Sequence, residues 1–265
     1  MPGKIRLDQR LLETAQFESR NRAQAAILAG SVSVNGEICR KAGARVSPQD
    51  RVDVRARSDW VSRGAEKLSA AFLAFPIQIG DAVCMDVGAG SGGFTQVLLR
   101  QGAARVYAVD VGYGQFDARL RSDPRVVLLE RTNARLLLTD DIPEPVQFFV
   151  MDVSFISAFK ILPAIHRVAA PNSEGIVLFK PNFEAKRREV KKGGLLLDPD
   201  IHLRLVSDAR NSLPDFGWVL SELMASPIRG GDGNIEYLFR LRRPPARAVT
   251  PDSIRKIIST AFALP

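Results

Sequence analysis

Only two cysteines, Cys39 and Cys84, and two histidines, His166 and His202, occur in the 265 residues. Two thiols cannot build a disulfide framework, and they lack the paired spacing of metal ligands, so neither a stapled secreted scaffold nor a zinc centre is expected. Long apolar runs are also missing: nothing approaches the roughly 18–20 residues of a membrane span. The N-terminus, Met1-Pro-Gly-Lys-Ile-Arg6, has no signal-peptide core. A reduced, cytoplasmic, metal-free protein with no membrane partner is the expectation. Acidic charge is in deficit too, with 29 Asp and Glu against 37 Lys and Arg, a net +8. The pI near 9.9 favours a polyanionic partner.

The length suits one large domain and one small one, and 46 % hydrophobic residues supply ample core. Residues 1–60 hold 11 Lys and Arg against 7 Asp and Glu, half of the net charge in less than a quarter of the chain. Leu7, Leu11, Leu12 and Ala15 recur at helical spacing, and Ser19 is placed to cap a second helix, Arg20 to Ala29, stopped by Gly30. Val32 and Val34 alternate with serines and run into Asn35-Gly36, the strongest short hairpin signal. Arg51-Val-Asp-Val-Arg55 alternates as a further strand. Two short helices and a ribbon carrying Arg20, Arg22, Arg40, Lys41 and Arg45 make a basic α+β module. Any one arginine has a plainer reading as a solvated surface charge, but the set favours nucleic acid.

After the connector Ser58-Asp-Trp-Val61, apolar runs alternate with helical ones. Strands are predicted at Val83–Val87, Val106–Asp110, Val126–Glu130, Gln147–Asp152, Gly175–Lys180, Val219–Met224 and Glu236–Leu241. Helices are predicted near Thr95–Gln101, Gln115–Arg121, Ala158–Val168 and Pro199–Leu213. Alternating βα units imply an α/β domain with a doubly wound, largely parallel sheet. The tail after Pro244-Pro245 holds a short predicted helix, Pro251 to Phe262, with no evident purpose. The expected organisation is a basic module at 1–57, a linker at 58–61, an α/β domain at 62–245 and a tail at 246–265.

Chemistry concentrates at strand ends. Cys84-Met-Asp-Val-Gly-Ala-Gly-Ser-Gly-Gly-Phe94 reads as strand, glycine-rich turn and helix start, with Gly88, Gly90, Ser91, Gly92, Gly93 and Phe94 around a ligand. Nicotinamide enzymes carry similar loops, so the turn alone is weak evidence. Asp86 sharpens it, because a carboxylate there suits a cationic aminoacyl group and would repel a pyrophosphate. Asp110 is placed to hold ribose hydroxyls, and Glu130-Arg-Thr-Asn133 to read an adenine edge. Four further charges, Lys67, Asp152, Lys180 and Glu236, sit in a frame where a buried charge costs several kcal/mol unless it is paired. Singly, Lys67 reads as a surface lysine on an amphipathic stretch, Asp152 with Lys180 as a structural ion pair, and Glu236 as a strand-edge charge. Their order in one frame favours chemistry.

The turn with Asp86 and Asp110 resembles the Rossmann-like class I S-adenosylmethionine (SAM) methyltransferases, which implies SAM as cofactor. Asp152-Val-Ser-Phe155 replaces the Asn/Asp-Pro-Pro-aromatic signature of amino-directed base methyltransferases. The lone cysteine of this half, Cys84, lies inside a strand, so pyrimidine C5 chemistry lacks its nucleophile. The Lys67, Asp152, Lys180, Glu236 set resembles the catalytic tetrad of FtsJ-type ribose 2′-O-methyltransferases.

In the basic module, Arg6-Leu-Asp8, Ser19-Arg20, Ala23, Gly30-Ser-Val-Ser-Val-Asn-Gly36, Lys41 and Val46 resemble an S-four (S4) RNA-binding domain. The whole chain is similar to the TlyA family, also called hemolysin A, through Trp60-Val-Ser-Arg-Gly-Ala-Glu-Lys-Leu68, Gly92-Gly-Phe-Thr95, Asp152-Val-Ser-Phe-Ile-Ser157, Lys180-Pro-Asn-Phe-Glu184 and Gly233-Asn-Ile-Glu-Tyr237. Asn182 departs from the glutamine usual in its block, and Lys186–Lys192 is unusually basic.

The resemblance implies cytidine 2′-O-methylation of ribosomal RNA in one or both subunits. Lys180 would take the hydroxyl proton, Lys67 would act as second cation, and Asp152, itself at the cofactor, would orient the amine together with Glu236. Arg6, Arg20, Arg22, Lys41, Arg63, Lys191 and Lys192 would contact RNA. Two rival readings are a membrane-active hemolysin and a ribosome-assembly factor that binds RNA without methylating it. The absence of a span argues against the first, and the full tetrad against the second.

Overall fold

A computed structural model describes residues 3–28, 30–54 and 59–263. Two compact units, Met1–Asp59 and Trp60–Pro265, divide the chain. Ala29, Arg55 and Ser58, and with them parts of the second predicted helix, the Arg51–Arg55 strand and the connector, lie outside the described residues.

In the first unit, strand β1 (Ile5–Arg6) leads into helix α1 (Leu7–Glu13), and α2 (Arg20–Leu28) packs on it. Leu7, Leu11, Ala23 and Ile27 meet Val32 and Val46 in a small core. Strand β2 (Val32–Val34) turns through Asn35 and Gly36, both at positive φ, into β3 (Glu37–Ile38), the two-residue hairpin that the Asn-Gly pair favours. Strand β4 (Arg45–Val46) pairs antiparallel with β1, and β5 (Val52–Val54) with β2.

The second unit opens with α3 (Gly64–Ala74), followed by β6 (Val83–Val87), α4 (Gly93–Arg100), β7 (Arg105–Val109), α5 (Ala118–Arg121) and β8 (Val126–Leu129). Next come β9 (Val146–Met151), α6 (Leu162–Val168), β10 (Ala169–Phe179) and α7 (Pro181–Glu184). The last elements are α8 (Pro199–Ser212), β11 (Val219–Ala225), β12 (Tyr237–Arg242) and α9 (Pro251–Ala263).

The seven strands form one sheet in the order β11-β12-β10-β9-β6-β7-β8. From β10 to β8 all neighbours are parallel, whereas β12 enters antiparallel to both β10 and β11. Chain order reverses between β6 and β9, so the carboxyl ends of those strands flank the crevice where ligands bind in such sheets.

Each sheet face carries a core. Leu68, Phe94, Leu98 and Leu120 cover one face, and Ile165, Val206, Trp218 and Ile254 the other. Each fully buried Leu, Ile or Phe contributes about 1.5–3 kcal/mol.

Two helices differ from expectation, each for a local reason. The predicted Ala158–Val168 helix breaks into a 3-10 turn, Ala158–Lys160, and α6, because Pro163 in the first turn of α6 has no N–H for a carbonyl behind it. Helix α5 begins only after Asp117, whose carboxylate accepts the Arg119 N–H as a cap. The tail is part of the domain: Ile254, Ile258 and Ala261 bury α9 in the core formed with α8 and β11.

Candidate active site

Asp152 and Lys180 each lie one residue past a strand, and Glu236 one residue before one. Strand β12 runs antiparallel to β10 with Phe179 opposite Tyr237, which brings the residues just beyond them, Lys180 and Glu236, to the same end of the sheet. The turn after β6 closes on this end. Gly88 has φ +80°, and a Cβ there would stand 2.4 Å from the Asp152 carbonyl oxygen, so only glycine lets the two segments touch. Gly92 is favoured for its backbone, at φ +92°, while the Leu120 side chain packs close beside it. A cleft of about 300 Å³ results, lined by Ser62, Arg63, Gly64, Lys67, Gly88, Ala89, Gly90, Ser91, Gly93, Phe94 and Asp152.

The four charges form two ion pairs. Lys67 is only 7 % exposed and bonds Glu236, 5 % exposed, so the surface-lysine reading is overturned. Lys180 Nζ lies 2.6 Å from Asp152 Oδ1, off the line of a hydrogen bond; its directed bond goes to Ser154 Oγ at 2.9 Å. Lys67 and Asp152 both face the cleft, one from α3 and one from the end of β9.

Asp86 is completely buried and does not itself line the cleft. The Thr95 hydroxyl donates to its Oδ2 at 2.6 Å, while Oδ1 has no hydrogen-bond partner. Burial, with the nearby Asp152 and Asp110 carboxylates adding to it, pushes Asp86 up to about 7. An orphaned carboxylate oxygen behind a glycine-rich cleft fits the ammonium of an aminoacyl cofactor. Asp110 accepts from Gly90 N and Gly112 N, each at 2.7 Å, and so pins the turn. Asn133 caps a 3-10 turn by accepting from Arg135 N, and Glu130 accepts from Gly114 N at 2.7 Å. Of the residues expected at the cofactor, Gly88, Gly90, Ser91, Gly93, Phe94 and Asp152 line the cleft; Asp86, Gly92, Asp110 and Asn133 stand behind or beside it.

Cys84 is buried in β6, its thiol pushed up to about 12 by burial, which makes it inert as a nucleophile. Among the described residues no group of His, Cys, Asp or Glu could hold a metal ion, and no helix is long and apolar enough to cross a membrane.

An aromatic pair escaped the sequence reading. Phe155 is 90 % exposed at φ +65° and meets Phe183 at 5.3 Å between ring centres, with Lys180 Nζ 5.8 Å from the Phe183 ring. The signal for it lay inside Asp152-Val-Ser-Phe155, where an aromatic follows the strand-end carboxylate by three positions.

The expected RNA contacts divide. Arg6 and Arg20 both bond the fully buried Asp8, at 2.9 Å and 3.0 Å, together with Gln24 at 2.7 Å. Arg6 is the main cause that holds the Asp8 carboxyl well below the usual range. These two arginines therefore brace the first unit while staying half-exposed, 41 % and 54 %. Arg22 pairs with Glu18 on the surface. Lys41, Lys191 and Lys192 are exposed, and Arg63 stands exposed at the cleft.

Residues 60–243 match the family described as FtsJ-like methyltransferase, and residues 5–52 match the S4 domain. The chain is 40 % identical over 265 residues to the 16S/23S rRNA (cytidine-2′-O)-methyltransferase TlyA of Mycobacterium tuberculosis, covering 99 % of each. Hemolysin A of Brachyspira hyodysenteriae is 40 % identical over 238 residues, 88 % of this chain and 98 % of that one. Among solved structures, a protein described as a hemolysin from Streptococcus thermophilus superposes with a TM-score of 0.78 at 34 % identity, over 98 % of this chain and 96 % of that one.

Proposed function

We propose that this chain, which belongs to the FtsJ-like methyltransferase family and carries an S4 domain, transfers a methyl group from SAM to the ribose 2′-hydroxyl of cytidine in ribosomal RNA. The observation that carries the reading is the pairing of Lys67 with Glu236 and of Lys180 with Asp152 at one end of the sheet, beside a glycine-lined cleft. Its place of action is the cytoplasm, on ribosomal subunits.

SAM, when bound, supplies a methyl group already activated by a sulfonium. Gly88, Gly90, Ser91, Gly93 and Phe94 shape the cleft that would hold it. Asp86, buried behind the glycine turn, would supply negative charge toward its ammonium from behind the cleft, and Asp110 would take its ribose hydroxyls through lone pairs left over from Gly90 and Gly112. Lys180 Nζ, held in place by Asp152 and Ser154, acts as the neutral amine and takes the proton of the acceptor hydroxyl as its oxygen bonds the methyl carbon and the carbon–sulfur bond breaks. Lys67, fixed by Glu236, supplies positive charge at the adjacent phosphate. Alignment of hydroxyl, methyl and sulfur contributes more than proton transfer does, because well-oriented reactants gain about 7–11 kcal/mol against roughly 10²–10⁴-fold for general-base action. Phe155 and Phe183 offer an exposed face on which an unstacked base can lie. Lys41, Lys191, Lys192 and Arg63 supply phosphate contacts, with Arg6, Arg20 and Arg22 adding what exposure they retain.

Purified protein with methyl-labelled SAM and isolated ribosomal subunits tests this. Label on a cytidine 2′-oxygen, absent in Lys180→Ala, is the expected result; label on a base, or none at all, overturns it.

A further inference from the structure

A buried polar chain outside the cleft takes no part in the reaction as described. His202 of α8 is completely buried, with Nε2 3.1 Å from the Leu196 carbonyl and Nδ1 2.9 Å from the Tyr237 hydroxyl. A carbonyl can only accept, so Nε2 carries the proton and Nδ1 accepts from the tyrosine. Burial also lowers the His202 pKa, which favours this neutral tautomer. Phe262 of α9 stands edge-on to the ring at 5.0 Å.

Tyr237, itself fully buried, is the residue after Glu236. Two residues before Glu236, Asn234 accepts the Leu196 N–H on Oδ1 and donates from Nδ2 to the Gly194 carbonyl, both at 2.8 Å. Residues 194–196 are thus held by both flanks of Glu236. The same segment closes the basic loop, since Lys191 N donates to Leu195 O at 2.8 Å and Gly194 N to Lys191 O at 3.0 Å. The Glu236 carboxylate has little room of its own: a Cβ on Gly230 would stand 2.5 Å from its Oε1. A shift of the loop therefore moves the backbone that aims Glu236 at Lys67.

We infer that His202, Tyr237 and Asn234 are positioning residues that couple the basic loop around Lys191 and Lys192 to the Glu236–Lys67 pair, so that a polyanion seated on the loop sets the geometry of catalysis. The inference rests on the proposed methyl transfer and names a control over it.

The test uses the full chain, ribosomal subunits and SAM under steady-state conditions. Tyr237→Phe removes one oxygen and keeps the ring. His202→Phe keeps an aromatic of similar size without either hydrogen bond. His202→Gln can donate its amide N–H to Leu196 O and accept from the Tyr237 hydroxyl. Misplacement of a catalytic group by about 1 Å costs up to ~10²-fold, so kcat should fall about 10-fold or more in both phenylalanine variants, with the KM for SAM within about twofold of wild type, and His202→Gln should recover most of it. Lys191→Ala with Lys192→Ala should lower kcat in the wild-type background and no further in Tyr237→Phe, the non-additivity of a shared pathway. Where melting curves show that His202→Phe does not fold, Tyr237→Phe carries the test alone. Wild-type kcat in folded Tyr237→Phe, or additive effects with the lysine pair, overturns the coupling. Glu236→Gln run in parallel separates the two readings: if it stays fully active or the wild type incorporates no label, the proposed reaction fails, whereas loss in Glu236→Gln alone sinks only the coupling.

Discussion

Lys67 and Glu236 stand 169 positions apart in the sequence and meet as a buried ion pair between the first helix of the catalytic unit and its last strand. Breaking a buried pair from one side leaves a desolvated charge with no counter-ion, typically at about 3–5 kcal/mol. Glu236→Ala should therefore lower the urea midpoint markedly. The double change Lys67→Met, Glu236→Leu should recover most of that stability without any methyl transfer. Equal midpoints for wild type and Glu236→Ala would mean that solvent reaches Lys67.

Lys180→Ala should abolish turnover and leave SAM affinity close to wild type, because Lys180 does not line the cofactor cleft. Loss of a general base typically costs about 10²–10⁴-fold, and poorer alignment adds to it. Calorimetric SAM titration beside single-turnover methylation separates the two quantities. Weakened SAM binding with intact chemistry would move Lys180 to the cofactor side.

Asp86, raised to about 7 in the folded protein, holds a proton that the unfolded chain releases near its ordinary value of 3.8. Between those two values the native state binds more protons, so without cofactor stability should fall as pH rises from about 4 to 7. SAM affinity should move the opposite way, rising as Asp86 ionises to meet an ammonium. Asp86→Asn should flatten both trends, as melting curves and SAM titrations across that range would record. A SAM affinity independent of pH in the wild type would detach Asp86 from the cofactor.

The basic residues expected at RNA should respond in two ways. Arg20→Ala removes one of the hydrogen bonds on buried Asp8 and should lower the stability of the first unit as well as RNA affinity. Lys41→Ala, or the pair Lys191→Ala and Lys192→Ala, should leave the melting temperature unchanged. Each should flatten the salt dependence of RNA binding by about 0.7–0.9 in the log–log slope for every phosphate no longer neutralised. Unchanged slopes would make those lysines ordinary solvated charges.

Three of the four candidate charges were legible in sequence because Asp152, Lys180 and Glu236 each sit at the end of a hydrophobic strand, a boundary visible one residue at a time, whereas Lys67 lies within α3. The Asp152–Lys180 pair was among the readings, but the pairing of Lys67 with Glu236 was not, since the two meet only through the antiparallel entry of β12, which no local period encodes. Likewise Arg6 and Arg20 were expected at RNA, and only the folded unit shows them converging with Gln24 on Asp8. The Asp152-Val-Ser-Phe155 block was visible, but not that a left-handed backbone turns Phe155 into solvent. The α9 helix was visible, but what its Ile254 and Ile258 cover was set by α8 and β11 in three dimensions.

Strand β12 is the last to leave the ribosome of the seven in its sheet, yet its place is between β10 and β11. Until it arrives, β11 has no neighbour in the sheet and β10 offers an open edge. Synthesis therefore runs ahead of function: every nascent chain passes through a stage in which the glycine-rich turn and Lys180 exist but Glu236 does not. The bare β10 edge of such a chain is the point at which premature pairing with another chain would begin.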